Sequence, residues 1–351
     1  MLWSLLSAAL VLFPAVSRAQ SAEPRWTPQI TEARSVMASA MAAGAAPGAA
    51  VAVAVDGEIV WSEAFGDAAS DTRFGIGSIS KALTLAAALR LVDSGTLDLD
   101  APVERYLPDW PHTGKGITVR RLAAHQSGLT DDFAGQHYSS TTHFPDLDSA
   151  YRHIRNERLV YPPGTRSVYA TGLFTIVGRV LERVAGEPYP ELMRRLVFEP
   201  ASMTRTIPND PRHPPPKRTS FYVRADGRIR EGPAVDPSFK LPGAGFLSTA
   251  EDMARFGIAL LRPGFLSEAA RSAMFHPVPL ADGTPTMYAL GIQSLTENDR
   301  RVLLQPGGGI GIAGWLAIYP EENVVVAVLS NLTGSPLGDA PRRAVAESFL
   351  R

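Results

Sequence analysis

Phe74-Gly75-Ile76-Gly77-Ser78-Ile79-Ser80-Lys81 runs from a glycine-broken, turn-like segment into an apolar stretch that reads as a helix over residues 82–92. Residues three apart on a helix share one face, so Lys81 would set its ammonium beside the Ser78 hydroxyl. The free N–H groups at a helix start can receive an oxyanion, and the local field there is positive. A turn followed by a helix therefore suits a nucleophilic serine. A serine and a lysine at this spacing carry little information, however, and the competing reading is an ordinary helix start capped by serine. The rest of the chain has to decide between them.

With 351 residues, 45% of them hydrophobic and 20% charged, the chain can bury a full core and form two lobes. A formal net charge of -1 with scattered arginines gives no footing for nucleic acid. Only four lysines are present: Lys81, Lys115, Lys217 and Lys240. Pro214-Pro215-Pro216 reads as a surface loop or short spacer. The absence of cysteine excludes disulfides, a thiol nucleophile and a lipid-modified cysteine. Residues 2–16 form an apolar run, and Ser17-Arg18-Ala19 offers a small-x-small cleavage pattern, so residues 1–19 are expected to be a signal peptide. The run is short for a membrane span. The expectation is an exported product, periplasmic or secreted, with no stable membrane anchor after cleavage.

Residues 27–43 read as an amphipathic helix, and residues 49–55 and 58–63 as strands joined by the two-residue hairpin signal Asp56-Gly57. Helices are expected over residues 82–92, 119–125, 150–156, 173–185 and 189–197. Thr249-Ala250-Glu251-Asp252 looks like an N-cap for a helix over residues 253–261. Strands follow over residues 288–295, 301–304, 312–319 and 324–329, the last two joined by Pro320-Glu321-Glu322-Asn323, and a helix closes the chain over residues 342–350. This order predicts an α/β (α+β) fold: one antiparallel sheet built from both chain ends and flanked by helices, with a mostly helical lobe inserted. Ser78 would lie at the seam between lobes, where pockets form.

A nucleophilic serine needs a base. Ser78 does not satisfy the G-x-S-x-G elbow of the α/β-hydrolases. Among seven histidines, His125 in Leu122-Ala123-Ala124-His125-Gln126-Ser127-Gly128-Leu129 is the best placed for a triad, although a structural histidine ending a helix is the favoured reading. No H-x-H or H-E-x-x-H pattern points to a metal, and no cofactor is expected. His137, His143 and His153 read as surface residues. Tyr169 is the more productive candidate, in Tyr161-Pro162-Pro163-Gly164-Thr165-Arg166-Ser167-Val168-Tyr169-Ala170-Thr171-Gly172, a loop ending just before a helix.

Here the chain resembles the serine β-lactamase and penicillin-binding-protein superfamily, most closely the class C β-lactamase-like branch with its esterases and D-aminopeptidases. Ser78-x-x-Lys81 matches the first family motif, and Tyr169-Ala170-Thr171, after a Pro-Gly-Thr turn, the second. Gly95-Thr96-Leu97-Asp98-Leu99-Asp100-Ala101-Pro102-Val103, His125-Gln126-Ser127-Gly128-Leu129 and Gly245-Phe246-Leu247-Ser248-Thr249-Ala250-Glu251-Asp252-Met253 also look like the family's. The third motif, normally Lys or His, then any residue, then Gly, appears as Gln305-Pro306-Gly307-Gly308, with Gln305 in the cationic position. The resemblance implies one β-lactamase/transpeptidase-like domain over residues 28–345, with an α/β lobe of residues 28–77 plus 245–350 and a helical lobe of residues 78–244.

The resemblance further implies acyl transfer: Ser78 attacks a carbonyl, an acyl-enzyme forms, and water releases it. The N–H groups of Ser78 and Gly308 would form the oxyanion hole. Thr171, Gln305, Gly307 and Gly308 would contact substrate, and Tyr169 would accept the proton under the influence of Lys81. Holding tyrosine as phenolate at pH 7 needs a pKa depression worth about 4 kcal/mol. One ammonium about 4 Å away supplies about that much at an effective dielectric of 20. A neutral Lys81 acting as base is the other possibility. With Gln305 uncharged, Lys81 would be the only cation in the site, which leads to an expectation of weak β-lactamase activity and a lean toward uncharged esters or amides. The competing reading is a catalytically impaired relative that binds a cell-wall fragment or a protein partner through the same cleft.

Overall fold

The computed structural model describes residues 24–350; the expected signal segment, residues 1–19, lies outside the described residues. In chain order the strands are β1 (Gly48–Val55), β2 (Glu58–Gly66), β3 (Phe74–Gly75), β4 (Ile207–Pro208), β5 (Tyr222–Ala225), β6 (Arg228–Glu231), β7 (Phe246–Ser248), β8 (Gln293–Glu297), β9 (Arg300–Gly309), β10 (Ile312–Tyr319) and β11 (Val324–Ser330). Six of them form an antiparallel sheet in the order β2-β1-β11-β10-β9-β8, so its centre pairs one strand from each end of the chain.

Every residue of β1 and of β11 is buried, which requires cover on both faces of the sheet. Side chains alternate between the faces. Ala49, Val51 and Val53 with Val324, Val326 and Val328 pack on one side with Ile30, Ala33 and Met37 of the helix Thr27–Ala42 and Val345, Ala346 and Phe349 of the helix Asp339–Phe349. Ala50, Ala52 and Ala54 with Val325, Ala327 and Leu329 face the other way, into a core continuous with the helix Ala250–Leu261 and the helices of the chain's middle. Small side chains dominate β1 on this second face, and the covering helix comes close. A Cβ on Gly257 would stand 2.4 Å from Val325 Cγ1.

Several local signals act as the sequence suggested. Asp56 and Gly57 both take positive φ, 52° and 84°, as a two-residue hairpin turn of the primed kind demands. Thr249 Oγ1 accepts the N–H of Asp252 at 3.2 Å, capping the helix Ala250–Leu261 three residues earlier than expected. The helix expected over residues 119–125 ends sooner, as Val119–Ala123, because His125 adopts a left-handed φ of 60°. Residues 189–197 form the helix Tyr189–Met193 continued by a wider-wound turn, Arg194–Phe198.

Other boundaries move for physical reasons. The strand expected over residues 288–295 is only β8, with Tyr288 making an isolated bridge to Gln293. The strand expected over residues 301–304 continues to Gly309 and takes in the whole Gln305-Pro306-Gly307-Gly308 segment, paired from Leu316↔Gln305 to Ala313↔Gly308. β8 stops opposite Leu304, so Pro306 lies on a free edge, where a missing N–H costs least. The helix Glu268–Phe275, the hairpin β5–β6 and the small sheet β3-β7-β4 were not anticipated. Strands of two or three residues are too short to show a period.

Arg342 fastens the last helix to the sheet. Its guanidinium is fully buried and donates to both carboxylate oxygens of Glu297 on β8, at 2.8 and 2.9 Å, and to the Tyr319 hydroxyl on β10 at 3.0 Å. Removing it would leave the buried Glu297 carboxylate with Arg343, at 3.4 Å, as its remaining ion pair. Arg342→Met is expected to cost about 3 kcal/mol of stability; a denaturant titration showing less than about 1 kcal/mol would mean that Glu297 finds water or another partner.

Candidate active site

Ser78 sits in the single tight turn Gly77–Ile79, which feeds directly into the helix Ser80–Asp93. Glycines allow β9 to lie against this turn. A Cβ on Gly77, whose φ is 49°, would stand 2.7 Å from both the N and the O of Gly308, and a Cβ on Gly307 would stand 2.1 Å from the Ile76 carbonyl oxygen. No side chain fits between these backbones. Because β8 has ended, residues 305–309 have no strand partner on that side, and the Gly308 amide is brought beside the Ser78 turn.

Lys81 lies one helical turn from Ser78 and is fully buried. Its Nζ contacts three oxygens: Ser78 Oγ at 3.0 Å, Thr171 Oγ1 at 3.1 Å and the Gly243 carbonyl at 3.0 Å. The rings of Tyr169 and Phe174 stand 4.8 and 5.2 Å away. Loss of water disfavours the ammonium and lowers the Lys81 pKa to about 7, with the charge of Asp131 pulling weakly the other way. The Tyr169 hydroxyl donates to Ser78 Oγ at 2.6 Å. Tyr169 is 41% exposed overall, yet burial around its hydroxyl pushes its pKa up, only partly offset by hydrogen bonds to Ser78 and Thr171. Burial therefore favours the neutral phenol over the expected phenolate, and Lys81 is the group whose pKa is brought near neutral pH.

Asp131 holds the second motif in place. Its carboxylate accepts the N–H of Thr171 at 2.7 Å and of Gly172 at 3.0 Å. Burial raises its pKa. The sequence offered one overlooked sign, its place directly after the His125–Leu129 segment and Thr130. His125 is buried, and burial lowers its pKa to about 3, with the Lys81 charge adding to the effect. Its ring packs on Tyr169 with 4.5 Å between centroids, while its Nδ1 accepts the Ala170 N–H at 3.2 Å. It positions the tyrosine and makes no hydrogen bond to Ser78.

The cleft at Ser78 encloses about 600 Å³. Tyr169, Thr171, Gly307 and Gly308 line it, as do four residues that sequence reasoning missed: Tyr138, Lys240, Tyr288 and Gln293. Gln305 does not line it. That side chain is 3% exposed, and its Nε2 donates to the Pro306 carbonyl at 3.1 Å. Lys240 overturns the expectation that Lys81 is the only cation here. His143 and His137 are partly buried rather than on the surface, His143 bonded to the buried Asp236 at 2.8 Å and His137 stacked on Phe133, whereas His153 is exposed. Two larger open grooves, of about 870 and 910 Å³, hold none of the Ser78 group.

A serine with lysine and tyrosine on one oxygen, set between an antiparallel α/β lobe and helices, defines the class of active-site serine hydrolases of β-lactamase type. The sequence matches the Beta-lactamase family over residues 33–349, and the chain belongs to that family. It is 26% identical to the serine beta-lactamase-like protein LACTB, mitochondrial, of Homo sapiens, over 77% of this chain and 68% of that protein. It is 29% identical to the D-aminopeptidase of Cereibacter sphaeroides, over 85% of this chain and 58% of that protein. The structure of the octameric penicillin-binding protein homologue from Pyrococcus abyssi superposes with a TM-score of 0.77 at 23% identity, covering 92% of this chain and 77% of that one.

The buried lysine has a thermodynamic signature. Its pKa is 10.5 when free and about 7 in the fold, so between those values the unfolded chain holds a proton that the folded chain has released. Stability therefore rises with pH across that window, by on the order of 5 kcal/mol at most. Lys81→Met is expected to flatten this rise in urea titrations from pH 7 to pH 10. Parallel curves for wild type and variant would show that Lys81 is not buried at this cost.

Proposed function

We propose that this chain is a serine hydrolase that cleaves an ester or amide bond through an acyl-enzyme on Ser78. One observation carries the reading: Ser78 Oγ lies 3.0 Å from Lys81 Nζ and 2.6 Å from the Tyr169 hydroxyl. Neutral Lys81 takes the Ser78 proton as Oγ bonds to the carbonyl carbon, and the oxygen that gains the electron pair is received by the N–H groups of Ser78 and Gly308. Collapse expels the leaving group, which takes the Tyr169 proton, and Tyr169 regains one from Lys81. Water then repeats the sequence on the acyl-enzyme and frees Ser78.

Ester hydrolysis is proposed to exceed β-lactam hydrolysis, because the third-motif position holds no cation: Gln305 is uncharged, buried and bonded to the Pro306 carbonyl, and Lys240 stands elsewhere in the cleft. The D-aminopeptidase relative supports amides as a second substrate class. The apolar run of residues 2–16 and the Ser17-Arg18-Ala19 pattern support export to the periplasm or the exterior. Among the described residues no helix is long and apolar enough to cross a membrane. The departures at Gln305 and Thr171 support a second reading, an impaired enzyme that binds a cell-wall fragment or protein partner in the same cleft.

Covalent labelling separates the two. A fluorophosphonate or a fluorescent penicillin is expected to mark wild type and not Ser78→Ala; failure of every acylating probe on wild type would leave the binding reading. The proton route has its own test. With neutral Lys81 as base, kcat/KM for a chromogenic ester rises with pH and is half-maximal near pH 7, following the Lys81 pKa of about 7. A rate still climbing beyond about pH 10 would instead assign the base to a tyrosine phenolate.

A further inference from the structure

Three cationic side chains, apart from histidine, are buried among the described residues: Arg342, Lys81 and Lys240. Arg342 is neutralised by Glu297, and Lys81 lies within hydrogen-bond distance of three oxygens. Lys240 has neither kind of partner. Its ammonium rests over the Tyr138 ring at 4.4 Å and the Phe239 ring at 5.1 Å, and no carboxylate of the described residues makes an ion pair with it. An ammonium that lines a cleft with no carboxylate or carbonyl bonded to it is free to pair with an anionic group that enters.

Lys240 is also well placed. It ends the turn Ser238–Lys240, and three residues later Gly243 supplies the carbonyl that receives Lys81. Lys240 lines both the Ser78 cleft and a narrower recess opening from it, walled by Phe221, Val235, Ile310 and Ile312. In that recess the Asn209 Oδ1 atom is buried with no hydrogen-bond donor. Burial and the charge of Lys81 lower the Lys240 pKa to about 8, with Asp131 opposing, so near neutrality it keeps its proton.

We propose that Lys240 anchors an acidic group of the substrate, so that the cleft selects esters or amides bearing a carboxylate several atoms from the scissile bond. This rests on the reading of Ser78 as nucleophile, and it replaces the expectation of uncharged substrates. The apolar recess would take the carbon chain beside that carboxylate.

Two ester pairs test it: mono-4-nitrophenyl succinate against its methyl ester, with the acid on the acyl half, and 4-acetoxybenzoate against its methyl ester, with the acid on the leaving half. In wild type at least one acid is expected to show a KM about tenfold below that of its neutral partner. Lys240→Met should bring the ratio close to one, and Lys240→Arg should restore it. Absence of preference in both pairs, or a preference that survives in folded Lys240→Met, overturns the proposal. If Lys240→Met does not fold, Lys240→Gln takes its place under the same criteria. Calorimetric titration of Ser78→Ala with 4-acetoxybenzoate and its methyl ester needs no turnover. Preference for the acid there, lost on adding Lys240→Met, upholds the anchor even if Ser78→Ala hydrolyses esters as fast as wild type, a result that would remove only the nucleophile reading; equal binding of acid and ester overturns the anchor.

Discussion

The withdrawal of the Lys81 amine from water sets the terms for everything around it. Its contacts at hydrogen-bond distance are neutral oxygens, from Ser78, Thr171 and Gly243, and the nearest charge that favours its proton, Asp131, is occupied with backbone N–H groups. In such surroundings protonation is the costly state. A lysine that would be an inert cation on the surface becomes a group able to exchange a proton near neutral pH. Thr171 and Gly243 lie against each other and both contact it, and the Asp131 hydrogen bonds keep Thr171 where it can do so.

That burial requires lobes that close tightly, and the closure is made by backbone rather than by side chains. Gly77 and Gly307 let the Ser78 turn and β9 meet with no Cβ between them. Since β8 has already ended, the backbone groups of β9 that point away from β10 at this point have no strand partner. The serine, the amine and the Gly308 backbone are thus fixed by one meeting of a turn with a strand edge, and the aromatic packing of His125 on Tyr169 fixes the ring beside them.

Much of this was legible in the sequence because its signals are local or periodic. Ser78 and Lys81 sit one helical turn apart, Asp56-Gly57 dictates a hairpin, and the apolar runs of β1 and β11 mark strands buried on both faces. Tyr169 and the glycines of β9 were legible only through ordered resemblance to a family. Lys240 was not legible at all: nothing in Ser238-Phe239-Lys240-Leu241 announces that the fold turns it into a cleft. Gln305 was misjudged because strand position fixes a residue's place in the ladder and not the hydrogen bond its amide will choose. The choice between a charged and a neutral Lys81 stayed open for a different reason. Coulomb's law between two groups can be estimated from sequence neighbours, whereas desolvation depends on every atom that excludes water and exists only in the folded chain.

The central strand pair has a consequence in time as well as in space. Val51 lies opposite Val328, so the apolar strand β1 finds this partner only when a segment far along the chain has been made. Contacts so distant in sequence slow folding, because a long loop must be ordered before they repay it. Until then β1 can pair with β2 on one edge only, leaving the other edge of an all-apolar strand open to any neighbouring chain. A sheet closed by so distant a strand leaves β1 open, and vulnerable, until that strand has been made.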